Sequence, residues 1–123
     1  MNLTKEGVIA LKAALLDLVL AVQDRSDKRR LADADMAFHR QIVAMSGNVR
    51  LATEYDRLKS VVVRYVSATN TRASADTIMN EHTAIYESIA CGDADLAEQL
   101  AVRHVLDHGE MLALELDREI RSE

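Results

Sequence analysis

The 123-residue chain has no proline and no tryptophan, one cysteine, one phenylalanine, three tyrosines and four glycines. With so few breakers, little in it stops a helix. Aromatic strand formers are scarce while Ala, Leu, Val and Ile are plentiful, which favours a helical bundle over a sheet protein. Cys91 stands alone, which excludes an intrachain disulfide and fits a reducing cytoplasm. No apolar run approaches a membrane span. Met1 to Leu20 does not read as a secretory signal, because Lys5, Glu6, Lys12 and Asp17 interrupt it and no cleavage pattern follows. Positive charge is also short. The net charge is −5, and the only basic cluster, Lys28-Arg29-Arg30, is flanked by Asp27 and Asp33 and reads as a solvated helix start. Duplex DNA is held largely by neutralising phosphates, so this chain alone is not expected to bind it.

What is present is one domain's length of helical periodicity, enough for a single core. A first helix from about Thr4 to Gln23 carries Val8, Leu11, Leu15, Leu18 and Val22 on one face. A second runs from about Lys28 to Ser46 and stops at Gly47. A third begins near Asn48 with Leu51, Tyr55, Leu58, Val62 and Tyr65. Ser74 caps a fourth, which ends at Gly92, and Asp93 caps a fifth. The expectation is an all-α antiparallel bundle of about five or six helices. The first helix is too apolar for a peripheral one: Leu16, Val19 and Leu20 lie off its main stripe. Either a further helix or a second subunit should cover them.

Polar residues interrupt the apolar stripes at chosen places. The second helix reads Leu31, Asp35, Phe38, Ile42, Met45, with His39 one turn beyond Asp35. The fourth reads Ile78, His82, Ile85, Ile89. In the fifth, His104 falls among Ala97, Leu100, Ala101 and Met111. A tight turn at Gly92-Asp93 makes the last two helices an antiparallel hairpin. His82 lies ten residues before Gly92 and His104 twelve after it. At roughly 1.5 Å rise per residue they end within about 3 Å of one height. Asp35 and His39 would complete a set of three imidazoles and one carboxylate, which suits zinc or another divalent transition metal, nickel and manganese included. The residues leave alternatives open. A histidine on an apolar face is often a hydrogen-bonded core residue, and Asp35 with His39 could be a simple ion pair. His108, one turn past His104, could replace it but projects toward Asp107 and Glu110.

Two blocks resemble a known family. Asp35-Met36-Ala37-Phe38-His39 followed by Ser46-Gly47-Asn48 is one; His82-Thr83-Ala84-Ile85, Ile89, Gly92-Asp93, Ala97, Ala101 and His104 is the other. Together they resemble the FCD domain, the C-terminal effector domain of FadR-type regulators in the GntR family, over residues from about 4 to 115. The resemblance implies an antiparallel helical bundle that binds a divalent metal through one Asp and three His, by position Asp35, His39, His82 and His104. It implies sensing of a small organic acid whose carboxylate completes the metal's shell, with Arg64 at a position that reaches the ligand; taken alone, Arg64 also reads as a solvated arginine. It further implies a homodimer that transmits effector binding to winged-helix domains. Against that pattern the chain lacks a winged helix, and the domain's usual first helix is also expected to be missing, so residues 1–123 read as the sensing domain alone.

The expected chemistry is therefore binding rather than turnover: a cytoplasmic, metal-dependent, dimeric sensor of an organic acid, without catalytic residues. One rival is a metallohydrolase using a metal-bound water, which would need a general base in the core that the stripes do not supply. The other is a metal-free helical interaction module whose buried histidines are structural.

Overall fold

Thr4 opens the first helix by accepting a hydrogen bond from the Gly7 N–H at 3.0 Å, and the helix α1 runs Lys5–Gln23. The structure is a computed structural model that describes residues 3–24, 26–57, 74–100, 103–104, 117–118 and 120–122. Asp27 caps α2 (Lys28–Met45) through the Arg30 N–H, and Asn48 precedes α3 (Val49–Arg57) and accepts from the Leu51 N–H. Ser74 caps α4 (Ala75–Ala90) through the Thr77 N–H at 3.0 Å. Each cap satisfies a backbone donor that the first turn would otherwise leave unpaired. Helix resumes over residues 94–100 and at 103–104, and no strand occurs among the described residues. No described helix is long and apolar enough to cross a membrane.

Two glycines make the reversals. Gly47 and Gly92 follow α2 and α4 with φ of 76° and 79°, the left-handed conformation in which a side chain is strained. After Gly92 the chain doubles back at once: the Asp93 N–H bonds to the Ser88 carbonyl, and the Asp93 side chain receives the Leu96 N–H. The hairpin expected from Gly92-Asp93 is present.

The helices form an antiparallel bundle. The start of α1 meets the end of α2, where the Gln41 side chain donates to the Gly7 carbonyl, and the middle of α1 meets the start of α2, where Arg30 forks onto Asp17. Leu18 and Val22 pack with Leu31 and Ile78, while Leu11 and Leu15 pack with Phe38, Ile85 and Ile89. Helices α2 and α4 therefore both run antiparallel to α1 and parallel to each other. The expected stripes are the buried ones on α1, α2 and α4, with Val8 and Ile42 at the half-buried margin. Helix α3 departs from expectation: Leu51 is exposed, and none of the α3 residues is buried. The reason is its limited packing, since it touches the core chiefly through Tyr55 against Ala32 and Met36. The remainder of the expected stripe, Leu58, Val62 and Tyr65, lies outside the described residues.

Leu18 is fully buried where α1, α2 and α4 meet. Leu18→Ala is expected to lower unfolding free energy by about 2–5 kcal/mol. Urea denaturation followed by circular dichroism measures this, and a loss below about 1 kcal/mol would contradict the packing described.

Candidate metal centre

The parallel run of α2 beside α4 brings their polar interruptions to one level. Asp35 and His82, 3% and 0% exposed, sit inside the core, and His104 reaches the same place from the far side of the hairpin at 7%. His39 closes the group from α2 and is the most exposed member, its side chain 27% accessible. Phe38, fully buried beside them, sets its ring edge-on to His39 and His82. Of the four residues expected from the sequence, the three histidines group together and Asp35 joins them through His39 and His82. Arg64 and His108 lie outside the described residues.

The donor atoms are close. Asp35 Oδ1 lies 2.8 Å from His82 Nε2 and 2.9 Å from His39 Nε2, and the two Nε2 atoms are 3.3 Å apart. Ligand atoms of His39, His82 and His104 all lie within 4.8 Å of one another. Bonds of roughly 2.0–2.1 Å, at tetrahedral or octahedral angles, put neighbouring ligand atoms about 2.8–3.4 Å apart. The Asp35, His39 and His82 atoms match the edges of such a polyhedron.

Proton placement gives an independent test of fit. His82 Nδ1 lies 2.6 Å from the Ile78 carbonyl oxygen, which only accepts, so Nδ1 carries a hydrogen. In neutral imidazole the other nitrogen is then a bare lone pair. That nitrogen faces the carboxylate of Asp35, itself an acceptor when ionised. Two acceptors at 2.8 Å in a dry core need something positive between them, a proton or a metal ion. In the metal-free protein the proton serves. Burial alone would lower the His82 pKa, but the hydrogen bond and negative charge of Asp35 outweigh it and raise the value above its ordinary 6.5. Burial likewise pushes Asp35 up, but hydrogen bonds from His39 and His82, with their charge, hold it well below 3.8. A carbonyl that fixes the outer nitrogen while the inner one faces the site is the usual arrangement around metal-ligating histidines.

Two neighbours were not expected from the sequence. Glu81 accepts a hydrogen bond from His104 Nδ1. The hairpin count could have found it, since Glu81 lies eleven residues before Gly92 and His104 twelve after. Tyr55, on α3, has its hydroxyl pushed up to about 12 by burial and then by the charge of Asp35, so it stays a neutral donor. It stands on the expected α3 stripe, but the period marks it as core and does not relate it to Asp35.

Residues 1–107 match the FCD domain family. The chain is also 27% identical, over 84 residues, to the probable D-xylose utilization operon transcriptional repressor of Paenarthrobacter nicotinovorans. That alignment covers 68% of this chain but 37% of the relative, so the chain spans little more than a third of that protein's length. No solved structure matches.

The buried pair makes a pH prediction for the protein held in chelator. The raised His82 value means its contribution is complete below about pH 6.5 and is lost as pH rises through the folded value. The depressed Asp35 value means its contribution is present above about pH 3.8 and is lost only in stronger acid. Metal-free protein should therefore melt at progressively lower temperature as pH is raised from 6.5, and Asp35→Asn should flatten that slope. A slope of the opposite sign would rule out the charged pair.

Proposed function

The chain belongs to the FCD domain family, and from that premise we propose that it is the metal-dependent sensing domain of a bacterial transcription regulator of the FadR subfamily. In this reading residues 1–123 form one sensing unit that acts in the cytoplasm and carries out no turnover. Asp35, His39, His82 and His104 hold one divalent ion, zinc first, with nickel or manganese as alternatives. The observation that carries the reading is the close approach of His82 Nε2 to the Asp35 carboxylate at 2.8 Å, with the outer nitrogen held by the Ile78 carbonyl and His39 Nε2 completing the triangle.

A bound divalent ion would supply positive charge and open coordination positions suited to a carboxylate. The protein's own groups do the rest. Ile78 orients His82, Phe38 excludes water from the inner side, and the more exposed His39 marks where the site meets solvent. By the family resemblance, Arg64 would supply a cation to such an acid. Binding would report to DNA only by favouring one arrangement of the bundle over another, and so of an attached DNA-binding domain.

A homodimer is part of the proposal. Ile9, Leu16 and Leu20 are exposed at 59, 55 and 60%. With Ala13 they fall at the 4-3-4 spacing of a helix-packing seam. That stripe faces away from the core and suits a second copy. Sedimentation should give a dimer that Leu16→Glu with Leu20→Glu converts to monomer; a wild-type monomer at high concentration would remove this part of the proposal.

The central test is elemental analysis with melting curves. Wild type should carry about one divalent ion per chain and lose melting temperature in chelator, because a ligand bound only to the native state stabilises it. His104→Ala should lose the metal and most of that response, while His108→Ala should keep both. Small carboxylic acids should raise the melting temperature of metal-loaded wild type, corresponding to about 2.7 kcal/mol at a hundredfold excess over Kd. Arg64→Ala should weaken that response without losing metal. If wild type holds no metal and gains no stability from zinc, nickel or manganese, the histidines are structural and the sensor reading fails.

A further inference from the structure

His82 and His104 approach the centre from the two arms of one hairpin, and each has its Nδ1 engaged by a different partner. For His82 it is the Ile78 carbonyl; for His104 it is the Glu81 carboxylate. An ionised carboxylate has no hydrogen to give, so the proton between Glu81 and His104 belongs to Nδ1. The Nε2 of His104 then keeps its lone pair. In water the commoner neutral tautomer of histidine has the proton on Nε2, which would block that nitrogen as a ligand.

The surroundings make this contact more than a surface pair. The His104 side chain is 8% exposed and that of Glu81 26%, so the hydrogen bond is largely out of water. The His104 ring stacks on His39 with centroids 5.3 Å apart and meets His82 edge-on at 4.7 Å. Packing fixes the plane of the ring, and the hydrogen bond at Nδ1 selects which nitrogen carries the proton. A carboxylate behind a ligating histidine also raises that ligand's basicity.

We propose that Glu81 is a positioning residue of the metal centre: its carboxylate holds the proton on His104 Nδ1 and leaves Nε2 as the donor atom. This rests on the metal-centre reading above. The test is long-range proton–nitrogen NMR on nitrogen-15-labelled protein in chelator at mildly alkaline pH, followed by zinc titration against a competing chelator. Wild-type His104 should show its proton on Nδ1. In Glu81→Ala the proton should move to Nε2 and zinc affinity should fall about 10–100-fold. Glu81→Gln, whose carbonyl oxygen accepts the same hydrogen bond, should keep the tautomer and recover most of the affinity. Should the alanine variant not fold, the wild-type tautomer decides, and a proton on Nε2 there overturns the inference. If wild type binds zinc and Glu81→Ala binds it equally well, the inference alone falls. If wild type has the Nδ1 proton but binds no zinc, the metal-centre reading falls and this inference with it.

Discussion

An ionised carboxylate in the middle of a small helical bundle is the constraint around which this molecule is arranged. Asp35 is 3% exposed, and removing a charge from water costs several kcal/mol unless something positive is supplied. The supply comes from His82 on another helix, so the polar contact fixes α2 and α4 in parallel register. An apolar contact would tolerate sliding; a hydrogen bond at 2.8 Å does not. Leu31 opposite Ile78 and Phe38 opposite Ile85 are the apolar consequence of that register.

The same constraint accounts for the asymmetry of the site. The polar cluster is uneven in its burial: Asp35 and His82 behave as core residues, whereas His39 retains access to water. A centre buried on every side could serve only stability. One with a single half-open member is reachable from solvent. The outer hydrogen bonds that His82 donates to the Ile78 carbonyl and His104 to the Glu81 carboxylate hold both rings in place.

Much of this was legible in the residues. The stripes on α1, α2 and α4 follow the 3.6 period, and the caps at Thr4, Asp27 and Ser74 mark where helices begin. Asp35, His82 and His104 stood out because each occupied a place where an aliphatic side chain was due, and His39 because it follows Asp35 by one helical turn. Leu51 misled, because periodicity records that a helix has an apolar face but not whether a neighbour covers it. Glu81 was missed for a different reason. It lies on the polar side of α4, where an acidic residue is ordinary, and only the height of His104 across the hairpin reveals its partner. Tyr55 contributes through space from a helix with little burial of its own, a relation that no local pattern encodes.

The separation of the contacting groups along the chain has a kinetic meaning. Asp35 and His82 are 47 positions apart, and His39 and His82 are 43 apart. Helices α1 and α2 can pair early, since a short turn joins them, whereas the polar cluster must wait until a long loop has closed. Until then the carboxylate and the imidazoles are dispersed and singly solvated. The donor atoms are therefore brought together only when α4 docks beside α2, and a chain that has not made that contact does not possess the site.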